Sequence, residues 1–138
     1  MQINYPVSLE LRIDWSELDM HGHVNNVAYH KYIQASRIHY WEQVGITNLY
    51  SENKTGPMLA STALQFRKPL FYPGNIVVKA RIELIKTTSF ILHHIILNNE
   101  GEICAEAQDV IVMFDFISNQ KAPFSDQLRA VVEKLEGR

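Results

Sequence analysis

The sequence predicts an α+β domain in which one curved antiparallel sheet wraps around one long central helix. Three observations predict it: one long segment has helical periodicity, several later segments alternate apolar and polar residues, and the links between those segments are short. Short links join antiparallel neighbours, because parallel strands need a crossover of about a dozen residues or more. The chain of 138 residues is predicted to be one domain, residues 1–138, since about 100–200 residues per domain is usual.

The long helix is predicted over residues 27–44. Small and apolar side chains recur there at intervals of three and four residues, which places one face of the helix against the sheet. This face comprises Tyr29, Ile33, Ser36, Tyr40 and Val44. Asn25 or Asn26 is expected to cap the start. Gly45 is expected to end the helix, because glycine readily takes the left-handed conformation.

Alternating apolar and polar residues predict five strands. One precedes the helix at residues 9–15, and four follow it, at residues 60–67, 78–84, 89–97 and 103–116. Pro73-Gly74 and residues 99–101 mark turns, so the four later strands are expected to form a meander. Ser125 is expected to cap a short C-terminal helix, whose inward face holds Leu128, Val131, Val132 and Leu135.

Composition and charge exclude several classes of protein. The formal net charge is −2, with 13 basic and 15 acidic residues, which argues against a nucleic-acid backbone as the main partner. No apolar run approaches the roughly 20 residues of a membrane-spanning helix, and the N-terminus lacks the features of a signal peptide. Cys104 is the single cysteine, so no internal disulfide is expected. We therefore expect a cytoplasmic protein with neither nucleic-acid binding nor membrane insertion.

The polar segment before the helix carries the residues most suited to chemistry. Asp19 lies there with two imidazoles, His21 and His23, and the helix starts at about Asn26. The unpaired N–H groups and the positive dipole end of a helix start stabilise a developing oxyanion or a polarised carbonyl. A neighbouring carboxylate can serve as a nucleophile or as a general base for water. Together these groups are suited to acyl transfer.

This segment also resembles a family signature. Its pattern Asp-x-x-x-His-Val-Asn-Asn-x-x-Tyr resembles that of hot-dog-fold acyl thioesterases. The most similar group is the 4-hydroxybenzoyl-CoA thioesterase family, to which the plant-type acyl-ACP thioesterases are related. The resemblance continues through residues 66–70, Pro73-Gly74 and residues 86–90, and it covers most of the chain. The matching residues of the signature are Asp19, His23, Val24, Asn25, Asn26 and Tyr29.

The resemblance implies a hot-dog fold and hydrolysis of an acyl-CoA thioester to a free carboxylic acid and CoA. Asp19 falls on the family's catalytic carboxylate, as nucleophile or general base. The backbone amides near Asn26 and Val27 fall where the family polarises the thioester carbonyl. His23 matches a histidine of the acyl-ACP branch, whereas His21 stands where that branch has asparagine, and this difference favours CoA. Water is the second substrate, so no cofactor is implied.

The same resemblance implies an assembly and a set of substrate contacts. Members form dimers whose sheets join side by side, and often tetramers, with the active site at the subunit interface. Ser61 and Thr62 would lie on the strand that faces the neighbouring site, where a hydroxyl could hold the water. Asn25, Val27 and Tyr29 would border the substrate. Basic and hydroxyl side chains at strand ends would bind the CoA phosphates, namely Arg67, Lys68, Lys86, Thr87, Thr88 and Ser89.

Three alternatives stay open. His21 and His23 could share a metal ion, but no Cys or Glu cluster stands at ligand spacing, so no metal is predicted. A hot-dog dehydratase of hydroxyacyl thioesters would need an acid on the central helix, and the predicted inward face holds none. A noncatalytic module that binds acyl thioesters with the same fold would also fit the sequence.

Overall fold

The structure is a computed structural model that describes residues 3–138. Its helices are α1 (Asn26–Val44), α2 (Leu49–Asn53) and α3 (Asp126–Glu136). Its strands are β1 (Val7–Arg12), β2 (Thr55–Phe66), β3 (Asn75–Ile85), β4 (Ser89–Leu97), β5 (Ile103–Asp115) and β6 (Gln120–Lys121). Single turns of 3-10 helix lie at Trp15–Glu17 and Ile46–Asn48. In the described part of the chain, no helix has both the length and the apolar character to cross a membrane.

The strands form one antiparallel sheet in the order β1-β3-β4-β5-β2, with β6 beside β5. Strands β3, β4 and β5 are a meander, as predicted, but the prediction is wrong for β2, which lies at the far edge beside β5. The link between β2 and β3 spans residues 67–74. Eight residues reach about 26 Å, enough to cross the three strand spacings of about 14 Å in total.

Helix α1 packs in the hollow of the curved sheet, and its buried residues include the whole predicted inward face. Asn25 is the N-cap, because its Oδ1 accepts a hydrogen bond from the Ala28 N–H at 2.8 Å. Gly45 ends the helix in the left-handed conformation with φ 79°, and Ser125 caps α3 as predicted. A curved antiparallel sheet around one long helix is the hot-dog fold.

The core consists of two apolar clusters along α1. The loop-side cluster lies around Tyr29, Tyr32 and Ile33 at the start of the helix, and the far cluster lies around Tyr40 and Trp41 near its end. Between them lie three buried polar side chains, defined here as the polar layer: Ser36, His94 and Asp109. The polar layer is fully buried and internally hydrogen-bonded, so it joins α1, β4 and β5 at mid-helix.

Candidate active site

The segment that leads into α1 is a narrow hairpin. At its base the Asn25 N–H donates to the Glu17 carbonyl at 2.8 Å, and above that Leu18 bridges Val24. At its tip the Asp19 N–H donates to the His23 carbonyl at 2.7 Å. The turn between them contains Gly22 with φ 78°, a conformation that glycine takes without strain. The hairpin therefore holds Asp19 at a fixed position ahead of the helix.

The Asp19 carboxylate is held ionised by its own turn. Its Oδ1 accepts hydrogen bonds from the backbone N–H groups of His21 at 2.9 Å and His23 at 3.1 Å. Desolvation acts to raise the pKa of Asp19, but the two N–H donors and the nearby imidazoles outweigh it, so the pKa lies below its usual value. Within residues 3–138 no group donates to the second oxygen, Oδ2, which is left for a substrate or a water.

The start of α1 supplies hydrogen-bond donors beside this carboxylate. The Ala28 N–H is taken by the Asn25 cap, whereas the N–H groups of Asn26 and Val27 have no acceptor in the described part of the chain. The first turn contains no acidic side chain that could neutralise the positive end of the helix dipole. These two amides can therefore polarise a carbonyl oxygen.

Asp19 and Asn26 border one open cavity of about 340 Å³. Its aromatic wall is Tyr29 against Phe66, whose ring centroids lie 5.0 Å apart in an edge-to-face arrangement. Burial raises the pKa of Tyr29 to about 12, so its phenol stays neutral, and its hydroxyl donates to the Lys68 carbonyl at 3.3 Å. The complete lining is Asp19, His23, Val24, Asn26, Tyr29, Phe66, Arg67, Lys68 and Pro69.

The basic rim of the cavity is paired with acids. Arg67 contacts Glu106 and Lys68 contacts Glu102, and each of the two basic side chains is about half exposed. Exposed pairs of this kind contribute little to stability, and water or a ligand can replace either partner. The two cations can therefore turn to a phosphate at the mouth of the cavity without breaking a buried contact.

Several sequence candidates lie elsewhere in the single chain. The turn with Lys86, Thr88 and Ser89 is at the opposite end of β3, whose 11 residues extend about 36 Å. These side chains therefore cannot act with Asp19 of the same chain. The side chain of Val27 is exposed and outside the cavity lining, and that of Asn25 is occupied as the helix cap.

Ser61 and Thr62 point to opposite faces of β2. Thr62 points to the helix side, and its hydroxyl donates its proton to Asp109 Oδ1 at 2.7 Å. Ser61 lines a separate groove on the outer face of the sheet. Neither residue borders the Asp19 cavity within one chain.

Sequence reasoning missed two sets of polar residues. Glu17, at the base of the hairpin, is buried, and the Asp14-x-x-Glu17 spacing of a capping box was the signal that could have found it. The His94–Asp109 pair had only a weak signal, namely two polar residues in the inward phase of apolar strands. Strand register then brings them together.

Comparison with known proteins gives the family. Residues 13–132 match the model of the Thioesterase-like superfamily, which is most of the chain. The chain belongs to this superfamily. It is accordingly a thioester hydrolase, as the hairpin signature and the hot-dog fold predicted.

Individual proteins similar to this chain are themselves named as thioesterases. The chain is 35% identical over 111 residues to the chloroplastic acyl-acyl carrier protein thioesterase ATL3 of Arabidopsis thaliana, covering 78% of this chain and 57% of the relative. It is 20% identical to the long-chain acyl-CoA thioesterase FadM of Escherichia coli over 91% of this chain and 96% of FadM. A thioesterase of Thermus thermophilus, solved with coenzyme A and Zn, superposes with TM-score 0.86 at 25% identity, covering 97% and 96% of the two chains.

His21 and His23 lie in the turn of the hairpin, beside Asp19. Within residues 3–138, no three His, Cys, Asp or Glu side chains converge closely enough to hold a metal ion. Cys104 is buried, and burial raises the pKa of its thiol, which keeps the sulfur protonated and unreactive.

Proposed function

We propose that the protein is an acyl-CoA thioesterase with its active site in the Asp19 cavity. The observation that carries the proposal is that an ionised carboxylate and the free N–H of the first residue of α1, Asn26, border the same cavity. Thioester hydrolysis needs these two functions: a group that attacks or activates water, and donors for the carbonyl oxygen. Superfamily membership is independent support for the reaction class.

The proposed reaction places the thioester carbonyl oxygen against the amides of Asn26 and Val27. Asp19 then either removes a proton from a water, which attacks the carbonyl carbon, or attacks that carbon itself to give an anhydride that water opens. In both routes a carbon–oxygen bond forms, the carbon–sulfur bond breaks, and the thiolate of CoA takes up a proton. His23 holds Asp19 through its backbone N–H, and its ring packs edge-to-face on Phe71 at the cavity rim.

Two features favour CoA over a carrier protein as the thiol component. His21 stands in the position where the acyl-ACP branch has asparagine, and its side chain is exposed. Arg67 and Lys68 lie at the mouth of the cavity and suit the phosphates of a nucleotide.

We also propose that the protein is cytoplasmic, since a reducing compartment suits a chain whose one cysteine is a buried thiol.

We also propose that a second copy of the chain lies along β2, giving a dimer or tetramer. Strand β2 is a long sheet edge, and it exposes Met58, Leu59 and Phe66 by 43%, 44% and 52%. Exposed apolar edge strands of this length pair with another chain unless they are protected. If the two copies pair antiparallel about a two-fold axis, the Met58 end of the partner's β2 would lie beside the Phe66 end of this chain's β2. It would therefore lie beside the cavity, which Phe66 lines.

The test is a panel of acyl-CoA thioesters, short-chain, long-chain and benzoyl, with colorimetric detection of the released thiol. We expect the wild type to release thiol, and Asp19→Asn to lose about 100-fold or more of that rate. Asp115→Asn is the matched control, because Asp115 Oδ1 also accepts two backbone N–H groups, from Ile117 and Ser118, at the other end of the sheet. It should keep its activity.

Each contrary result has a defined meaning. Equal rates in the two variants would remove Asp19 from the mechanism. Binding without thiol release from any thioester would make the chain a noncatalytic acyl-thioester-binding module. Loss of water from a hydroxyacyl thioester without thiol release would make it a dehydratase.

A further inference from the structure

Glu17 is a buried acid next to the candidate site that the proposed reaction does not use. It is 7% exposed, although glutamate is seldom buried unless paired. Its Oε1 accepts hydrogen bonds from the Tyr32 hydroxyl at 2.6 Å and from the Asp14 N–H at 2.9 Å, and its Oε2 contacts the Lys31 ammonium at 3.1 Å. Every polar atom of the side chain therefore has a partner.

The position of Glu17 connects the two halves of the proposed site. Its carbonyl accepts the Asn25 N–H in the base rung of the hairpin that carries Asp19. Asn25 is in turn the cap of α1 and directly precedes Asn26. Tyr32, which holds the Glu17 side chain, lies in the second turn of the same helix. One residue thus joins the hairpin to the helix at the point where acid and amide donors meet.

We propose that Glu17, held by Tyr32, is a positioning residue that fixes the Asp19 hairpin relative to the amide donors of α1. The inference rests on the proposed function. Without the Tyr32–Glu17 contact the hairpin keeps its own backbone rungs, but its base loses the buried attachment to the helix. The Asp19 carboxylate would then no longer be held at a fixed distance from the α1 amides. Displacement of a catalytic group by about 1 Å can cost about 100-fold in rate.

The charge state of Glu17 suits this role. Burial acts to raise the pKa of Glu17, but hydrogen bonds from Tyr32, Asp14 and Lys31 outweigh it and keep the pKa below its usual value. The acid is therefore ionised over the physiological range and always accepts from Tyr32. Hydrogen bonds to a charged acceptor are roughly twice as strong as neutral ones, which makes the attachment stiff.

Tyr32→Phe removes this contact without changing charge or the aromatic ring, and the chain offers a close control. Tyr40, two turns further along α1, is also buried and donates to a glutamate, Glu136, at 2.5 Å. The Glu136 oxygen that accepts from Tyr40 also accepts a backbone N–H, that of Ile82, as Glu17 Oε1 does. Tyr40→Phe therefore removes an equivalent bond in the far cluster.

With the best thioester of the panel, we expect Tyr32→Phe to lower kcat by about 10- to 100-fold while KM changes much less. Tyr40→Phe should lose comparable thermal stability and keep kcat within about twofold. Equal kcat values in the two variants, with an active wild type, would overturn the positioning role and leave the proposed function intact.

A second readout does not depend on turnover. The pKa of the Asp19 carboxyl is measured by NMR titration of its carbon resonance. In Tyr32→Phe it should rise toward the ordinary value, because the hairpin moves Asp19 away from the positive end of the α1 dipole, whereas Tyr40→Phe should leave it unchanged. An unchanged Asp19 pKa in Tyr32→Phe would contradict the proposal even if no thioester is hydrolysed.

Variants of Glu17 itself separate positioning from simple packing. Glu17→Gln keeps an oxygen that can accept from Tyr32, so it should retain most of the activity, whereas Glu17→Ala should lose as much kcat as Tyr32→Phe or more. Lys31→Gln removes only the ion pair of an exposed lysine and should change little. A Glu17→Gln variant as impaired as Glu17→Ala would show that hydrogen-bond acceptance is not the relevant property.

Discussion

His94 Nε2 lies 2.8 Å from Asp109 Oδ2, and both side chains are fully buried. The same carboxylate accepts from Arg37 Nε at 2.9 Å and from the Thr62 hydroxyl at 2.7 Å. Burial acts to raise the pKa of Asp109, but these donors outweigh it and hold the pKa at about 2. Desolvation lowers the pKa of His94, so the histidine is neutral, donates from Nε2 and accepts the Ser36 hydroxyl at Nδ1.

This pair predicts a loss of stability on mild acidification. In the unfolded chain His94 takes up a proton near its ordinary pKa of 6.5, whereas the folded chain resists it. The unfolded state then binds more protons, so the free energy of unfolding falls as pH decreases below that value. Urea denaturation at pH 7.5 and pH 5 should show this fall. Asp109 contributes little between pH 7.5 and pH 5, because its carboxyl is ionised there in both states, with a pKa of about 2 in the folded chain and about 3.8 in the unfolded chain.

His94→Gln should flatten that dependence while costing about 1–3 kcal/mol at pH 7.5, since a buried network loses a partner. Some dependence of the free energy of unfolding on pH should remain in this variant, because burial also lowers the pKa of His93. His30→Gln, on the exposed face of α1, serves as the control and should keep the wild-type slope. A slope in His94→Gln as steep as that of the wild type would show that His94 is not the titrating group.

The lowered pKa of Asp19 predicts where activity is lost in acid. A depressed carboxyl pKa keeps the acid ionised down to a pH below the ordinary value of 3.8, so protonation of Asp19 should not reduce kcat/KM between pH 7 and pH 5. The measurement is thiol release corrected for the folded fraction by circular dichroism. A carboxyl-like loss of activity centred near pH 5 in fully folded protein would contradict this assignment.

Gly22→Ala should reduce kcat through the geometry of the hairpin. Gly22 has φ 78°, and alanine there costs about 1–2 kcal/mol of strain that the tip can relieve by moving Asp19. Gly101→Ala is the matched control, since Gly101 also has φ 78° in a hairpin turn, and an added methyl group meets open space at both positions. We expect similar losses of stability, measured by urea denaturation, but a lower kcat only for Gly22→Ala.

The exposed edge strand β2 predicts that a charged substitution on it weakens self-association. Met58→Lys should weaken self-association by about tenfold or more, because a lysine at a pairing edge must be desolvated. Light scattering across a dilution series measures the effect, and thiol release should fall with it. Val131, which the sequence wrongly placed on the inward face of the C-terminal helix, is similarly exposed on α3, and Val131→Lys should leave the assembly unchanged. A wild type that is monomeric at every concentration would contradict the proposed assembly.

The elements set by local interactions were predictable from the sequence. Helix α1 begins within one residue of its predicted start, because the Asn25 cap, the apolar periodicity and Gly45 all act within a few residues. Asp19 and Asn26 could be paired for the same reason, since one short hairpin carries both. The position of β2 could not be predicted, because alternation identifies a buried face but not the neighbouring strand.

The contacts that depend on register were not predictable. Asp109 meets Arg37, Thr62 and His94 only after β5 has paired with β2 and β4 and α1 has packed on the sheet. No spacing in the sequence indicates that these four side chains come into contact. Lys86 was assigned to the CoA site by resemblance, and it lies a strand's length from Asp19 because β3 carries the chain away from the hairpin.

The division of the core by the polar layer has a consequence for engineering. The far cluster around Trp41 and Phe90 contains no described residue of the hairpin or of the first turn of α1. We expect stabilising substitutions there to raise the melting temperature without changing the geometry of the proposed active site, whereas substitutions around Tyr29 and Tyr32 would alter both. A thermostable biocatalyst built on this scaffold should therefore be designed from the end of α1 that lies away from Asp19.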